Sequence, residues 1–338
     1  MQFYAKVLFS FGLTISLGCN VPKGELEEPS SEQSSQDSSL TGELYGKSKK
    51  NRKNDEPKLF IVDTDIRSDV DDVGAIAMFG NFKGGKLIAM NASTAGRYAD
   101  DALQVLNRHY RFGALVGQDP KGDLVSRDPY APQLSAEFPW KKSRPTYKSI
   151  RMYKKALKNA ESKVVIVVIG SQKSISRLLD AERDLIKEKV EELVVMGGAF
   201  ESSTHQEWNI KLDVAAARNV AANWPTPITY AGFELGVQVF TGSHLKPENG
   251  PLYRAYQLYP GAGGVGRIGS SKSWDQIAVA YAMGNENLRA SKPIKIDFGS
   301  SGTTIWSFDE NWKKRNPRRF LKFKDKNRVQ KFITKKMQ

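Results

Sequence analysis

The chain has 338 residues, 40% of them hydrophobic, and a formal net charge of +14. That length suits one sizeable core, a single α/β domain of about 280 residues being within range, and after residue 20 no stretch is apolar and long enough to span a bilayer. The charge argues against a nucleic-acid partner, because twelve Lys or Arg against Asp325 alone lie between Asn311 and Gln338, leaving about +3 for the other 310 residues.

In chain order, the first feature is an N-terminal segment unlike the rest. Lys6 is its only charge, an apolar run extends from Val7 to Leu17, and Gly18-Cys19 closes it. Residues 1–19 are thus expected to be a secretory signal. Ser16-Leu17-Gly18-Cys19 resembles a bacterial lipobox with Ser where Leu is usual, which makes an exported, membrane-anchored lipoprotein facing the periplasm or the cell exterior the expectation. A plain signal peptide would leave Cys19 incidental. No second cysteine exists, so disulfides carry no stability. Residues 20–56 are rich in Ser, Glu, Gln and Lys and almost without large apolar side chains, the composition of a disordered tether. The folded domain is expected over 57–338.

Within it, Lys58 to Val62 reads as a buried strand running into acids, and Asp72 to Phe82 as a helix with Val73, Ile76, Ala77 and Gly80 inward. Leu87 to Ser93 is a second strand and Asp100 to Arg111 a second helix. Val164 to Ile169 is the most hydrophobic strand; a helix follows from about Ser174. Glu192 to Met196 is a further strand, Val214 to Asn223 a helix, and Pro227 to Ala231 leads into another strand. In the basic tail Val329, Phe332, Ile333 and Met337 recur at helical spacing, predicting an amphipathic helix. Strands alternating with helices predict an α/β, Rossmann-like fold: a mainly parallel sheet with helices on both faces and ligands outside the strands' C-terminal ends. Gly261 to Gly269 follows Tyr259-Pro260 rather than a strand, so it reads as a loop beside a site rather than a dinucleotide cradle.

Asp63, Asp65, Asp69, Asp71 and Asp72 place five carboxylates within ten residues, at a strand end and a helix start. Gathered there they repel one another unless a cation lies between them. Carboxylate oxygens suit a hard ion, and Ca²⁺ tolerates the irregular geometry that a loop and a helix start offer. Arg67 stands where a haloacid dehalogenase-type phosphatase has Thr or Val, and Ser68 and Gly74 where an EF-hand needs Gly and Glu. Neither pattern fits.

Asp63-Thr64-Asp65, then Asp71-Asp72-Val73-Gly74-Ala75, resembles the opening motif of the inosine/uridine-preferring nucleoside hydrolase family, with Asp69-Val70 lengthening the turn. Further resemblances follow in order: Val168-Ile169-Gly170, Met196-Gly197-Gly198, Glu207-Trp208-Asn209, Asp213-Val214-Ala215 and Trp274-Asp275. The resemblance implies a nucleoside hydrolase-like fold and a Ca²⁺ held by Asp65, Asp72, Asp275 and the carbonyl of Ile169. It implies that Asp65 also takes the proton of the attacking water, and that Asp71, Glu207 and Asn209 bind ribose hydroxyls. Glu207 and Asn209, two apart in extended chain, are expected to point the same way with Trp208 facing the core.

Met196 is a candidate lining of the sugar pocket. Asp63 is expected either to brace the metal site or to cap a helix, and Asp69 either to support the ligands or to carry loop charge. Three departures from the family stand out. Trp274 replaces the His that serves many members as leaving-group acid, and can stack on a base or seal the pocket. Arg97 stands where an amide contacts the sugar, and Glu201, Ser202 and Ser203 fill the place of an Asn. His205 is the nearest stand-in acid, a surface histidine being its plainer reading. The function expected is Ca²⁺-dependent hydrolysis of N-glycosidic bonds in ribonucleosides or related N-ribosides, with a metal-dependent riboside-binding protein as the alternative. A small-molecule nucleoside is the expected partner and a homo-oligomer the expected assembly.

Overall fold

The computed structural model describes residues 57–123, 128–138, 140 and 145–338. The signal segment, Cys19 and the linker to residue 56 lie outside the described residues. Seven strands form the parallel part of the sheet: β1 (Lys58–Thr64), β2 (Gly85–Thr94), β3 (Leu115–Asp123), β4 (Thr146–Lys148), β5 (Val164–Val168), β6 (Val190–Met196) and β7 (Ile228–Ala231). A short antiparallel ribbon of β8 (Phe240–Thr241) and β9 (Ser271–Lys272) stands apart. β10 (Leu288–Ala290), β11 (Ile294–Phe298), β12 (Thr304–Phe308) and β13 (Arg318–Phe323) complete the main sheet, whose order is β12-β11-β13-β7-β6-β5-β1-β2-β3-β4 with β10 on β13. β13 joins β7 in parallel, while β10 and β11 meet β13 antiparallel.

The helices are α1 (Asp71–Ala77), α2 (Ala99–His109), α3 (Ala131–Glu137), α4 (Ser149–Lys158), α5 (Lys173–Lys189), α6 (Trp208–Leu212), α7 (Val214–Asn223), α8 (Phe233–Gly236), α9 (Pro251–Leu258), α10 (Trp274–Ala282) and α11 (Lys326–Lys336). They cover both faces of the sheet, as central parallel strands require. Phe60, Val62, Val165 and Val167 point into one core with Val73, Ile76 and Ile277. Ile61, Ile166 and Val168 point into the other with Leu178, Leu193 and Trp224. Each such side chain contributes about 1.5–3 kcal/mol on burial. Among the described residues no helix is long and apolar enough to cross a membrane.

Two expectations are corrected. The helix expected to run to Phe82 ends at Ala77 and tightens into a 3-10 turn over Met78–Asn81, where Gly80 is exposed; Gly lowers helix propensity at that end. The amphipathic helix expected in the basic tail is present as α11, but it occupies only the tail's second half. β13 precedes α11, because Phe320 and Leu321 fill the two cores while Val329, Ile333 and Met337 bury the helix. The segment from β3 to α4, which carries no clear periodicity, supplies two strands and two helices that the sequence did not announce.

β13 is anchored by Arg318, a fully buried guanidinium. It donates to the carbonyls of Ala221 (2.9 Å), Trp224 (2.8 Å), Thr226 (3.2 Å) and Asn316 (2.6 Å). Burial lowers its pKa to about 10. Arg318→Leu strands those carbonyls, and is expected to remove about 3–5 kcal/mol of unfolding free energy in urea titration.

Candidate active site

Strand order reverses at β1, which has β2 on one side and β5 on the other. Crevices outside such a reversal are where α/β sheets bind ligands. The chain leaves β1 into Asp65, leaves β5 into Ile169 and ends β6 on Met196, and all three side chains line one cavity of about 280 Å³. That volume lies near the lower end of the ~300–1,000 Å³ of small-molecule sites. The turn after β5 passes so close that a Cβ on Gly170 would sit 2.7 Å from the Asp65 nitrogen. Glycine is obligatory there on contact alone.

Asp71 and Asp72 open α1, and Asp275 lies in the first turn of α10. The two helices approach through Gly74, where a Cβ would lie 2.5 Å from Gln276 Nε2. Asp71 Oδ2 accepts from the backbone nitrogens of Trp274 (3.1 Å) and Asp275 (3.2 Å), giving α10 the N-terminal acceptor that its N-cap residue, Ser273, does not supply. Asp72 is wholly buried; Thr64 Oγ1 donates to its Oδ1, and its Oδ2 has no hydrogen-bond partner. Oxygens of Asp69, Asp71 and Asp72 lie within 4.8 Å of one another, a spacing that can hold a metal ion. Asp65, Asp69, Asp71, Asp275 and Ile169 line the same cavity.

Burial, then mutual repulsion, dominates the electrostatics. Burial raises Asp65 well above the usual carboxylate range, with Asp69 the next contributor. Asp72 is raised by burial and then by Asp65, Asp69 and Asp71. Asp275 is raised by burial and then by Asp71, Asp72, Asp69 and Asp65. Carboxylates so placed ionise together only with a cation among them, and an all-oxygen set with one orphaned buried oxygen fits a hard divalent ion.

Asp63 is buried but outside the cavity. Its Oδ2 accepts from Asn91 Nδ2 (2.9 Å) and from Tyr153 Oη, bracing the strand rather than capping a helix. Asn91 and Ser93, through bonds to Asp63 and to the Thr64 carbonyl, support the same strand end.

The residues expected to bind the sugar adopt a different geometry from the one expected. Glu207 is the N-cap of α6, and its carboxylate accepts from the backbone nitrogens of Asn209 (3.1 Å), Ile210 (3.0 Å) and Gly198 (3.2 Å). Since the chain turns helical after it, Trp208 projects outward, 62% exposed at the cavity mouth, rather than into the core. Asn209 Nδ2 donates to the Met196 carbonyl (3.3 Å) and lies 3.5 Å from the Ile169 carbonyl. Asp213 caps α7 by accepting from Ala216 N (2.9 Å).

An aromatic wall closes the other side. Trp274 stacks on Phe233 (centroids 5.7 Å apart) and its Nε1–H donates to the Phe233 carbonyl at 3.0 Å. His205 stacks on Phe233 in turn, centroids 3.9 Å apart, and does not line the cavity. Arg97 is exposed over the ring of Tyr98 and is likewise outside the lining. Phe233, Tyr259 and Ser68 line the cavity without having been singled out by sequence. Phe233 lies two residues past the end of β7 and Tyr259 precedes the glycine-rich loop, so the strand-end rule and that loop were the available signals.

Fold and site together define an α/β protein with a carboxylate-rich small-molecule cavity at the sheet's reversal. The family model described as inosine-uridine preferring nucleoside hydrolase matches residues 60–331, and the chain belongs to that family. Its reaction class is hydrolysis of the N-glycosidic bond of nucleosides. Similar solved structures include an inosine-uridine preferring nucleoside hydrolase from Bacillus anthracis (16% identity, TM-score 0.63, covering 83% of this chain and 99% of that one). An inosine-guanosine nucleoside hydrolase has 17% identity and TM-score 0.66, covering 83% of this chain and 98% of that one. A purine-preferring ribonucleoside hydrolase from Gardnerella vaginalis has 17% identity and TM-score 0.65, with the same 83% and 98% coverage. No curated protein matches the sequence.

The buried carboxyls carry a pH signature. Burial pushes both Asp63 and Glu207 up to about 7, against the hydrogen bonds each accepts. Each holds its proton more tightly folded than unfolded, so its contribution to stability is complete below about pH 4 and lost as pH rises through about 7. The metal-free protein is expected to melt at falling temperature across that window, and Glu207→Gln to flatten the fall. A melting temperature that rises with pH there contradicts the assignment.

Proposed function

We propose that this protein hydrolyses ribonucleosides, purine ribonucleosides foremost, or closely related N-ribosides, with Ca²⁺ as its resident cation. The observation that carries the reading is the unpartnered Asp72 Oδ2, fully buried among further carboxylates beside the cavity. An uncompensated charge in the interior costs several kcal/mol. A divalent ion removes that penalty, and oxygen donors of irregular geometry favour Ca²⁺ over Mg²⁺.

Asp65, Asp72, Asp275 and the Ile169 carbonyl would hold the ion. When bound, it supplies positive charge that keeps the carboxylates ionised and polarises water. Asp65 accepts the proton of a water whose oxygen bonds to the anomeric carbon. The bond from that carbon to the base nitrogen breaks, and its electron pair leaves with the base. The surrounding carboxylates stabilise the positive charge that develops on the sugar ring. Asp71, Glu207, Asn209 and Met196 form the sugar side.

Trp274 has no proton to give, its indole N–H being engaged with the Phe233 carbonyl. The aromatic surface of Trp274 and Phe233 suits stacking against a planar base, and a purine presents the larger face. The purine and inosine-guanosine preferences named for two of the structural neighbours support the choice. The sequence from Val7 to Cys19 further supports export with a lipid on Cys19, for which fatty-acid labelling lost in Cys19→Ser is the expected result.

Purified protein is expected to release base from purine ribonucleosides, to stop on treatment with EGTA, and to recover with added Ca²⁺. Asp65→Asn is expected to lower kcat by about 10²–10⁴-fold. Trp274→Ala is expected to slow purine nucleosides more than p-nitrophenyl riboside, whose leaving group needs no help. Turnover indifferent to EGTA overturns the cation assignment.

A further inference from the structure

We infer that Asp69 is a direct carboxylate ligand of the cation, while Asp71 serves as the clamp that docks α10 onto α1. The inference rests on the reading of the site as a divalent-cation centre. It adds a role to each of the two acids that flank Val70 in the lengthened turn.

Asp71 is 2% exposed, and its Oδ2 is occupied by two backbone N–H groups, 203 and 204 residues further along the chain. Its charge stabilises a helix start and joins the two chain segments that carry Asp72 and Asp275. Asp69 differs. Its carboxylate meets that of Asp71, takes a long bond from Ser68 Oγ at 3.3 Å, receives no N–H group from a distant element, and lines the open cavity. Its oxygen lies within 4.8 Å of those of Asp71 and Asp72. Oxygens bound to one Ca²⁺ at ~2.3–2.6 Å can be up to about 5 Å apart, so the spacing fits a shared ion.

Asp72 Oδ2 independently marks a ligand. It belongs to a wholly buried residue and has no hydrogen-bond partner, an acceptor that a cation in the cavity would satisfy. The turn is also held in place from behind. Arg67 adopts φ +133°, a region that favours glycine, and is fixed there by Asp128 (2.6 Å) and the Ala95 carbonyl (3.0 Å). Tyr130 Oη accepts from Arg67 N (2.9 Å) and donates to the Asp69 carbonyl (2.7 Å), so a buried tyrosine sets the backbone from which the Asp69 side chain springs. A carboxylate with only loop charge to contribute needs no such support.

The test is calorimetric titration of the full metal-free chain with Ca²⁺ alone, beside thermal melting without metal. Asp69→Asn is expected to weaken Ca²⁺ binding by about tenfold or more, since affinity follows the count of charged ligands. Its metal-free melting temperature is expected to hold or rise, because one repelling charge is gone. Asp69→Ser serves the same comparison should the amide disturb the turn. Asp71→Asn is expected to lower the metal-free melting temperature, and Asp72→Asn to abolish binding. If the parent and Asp69→Asn bind Ca²⁺ equally while Asp72→Asn does not, this inference fails and the cation centre stands. A lowered metal-free melting temperature in Asp69→Asn with unchanged affinity also overturns it, by making the residue structural. A parent chain that binds no Ca²⁺ overturns both.

Discussion

Repulsion among buried carboxylates is the constraint around which this domain is arranged. Asp65, Asp69, Asp71 and Asp72 come from one turn and Asp275 from a helix near the other end of the chain, yet they act on one another across a single cavity. The starts of α1 and α10 are aimed at this charge, but a helix terminus offsets only about 0.3–1 kcal/mol per anion. Several buried charges need far more. Asp71 answers part of the demand by taking the N–H groups of Trp274 and Asp275, and the unpartnered Asp72 Oδ2 shows how much is left over.

The rest of the fold delivers the pieces. The reversal at β1 leaves a crevice into which Asp65, Ile169 and Met196 emerge from three neighbouring strands. Gly170 and Gly74 let a turn and a helix approach closer than any side chain allows. Asn209 ties the end of β6 to α6, so Glu207 and Asn209 are fixed to the same strand ends. Rigid strands with closely packed turns are what hold a reacting water and a sugar in register.

Much of this was legible in the residues. Val164 to Val168 is apolar at both parities, so it had to be a strand covered on both faces. An apolar run leading straight into Asp63 and Asp65 placed a strand end at the site. Other parts needed the third dimension. Glu207 and Asn209 read as two same-side residues of extended chain, whereas capping turned the backbone helical and sent Trp208 outward. The helical spacing of the tail hid β13, whose parallel partner β7 lies far back in the sequence. Phe233 and Tyr259 form no local pattern; only the cavity unites them with Trp274. Arg97 and His205, near family positions in the sequence, stand outside the lining, His205 behind Phe233.

Opposite the carboxylates, Trp274 and Phe233 form an aromatic wall whose indole N–H is already engaged, so the proposed chemistry falls on the acidic side. The most direct measurement is anomalous diffraction from crystals of the full chain grown with Ca²⁺. The account predicts one cation peak in contact with Asp72 Oδ2 and with oxygens of Asp65 and Asp275. Ordered density with no peak there, or a peak elsewhere on the surface alone, contradicts it.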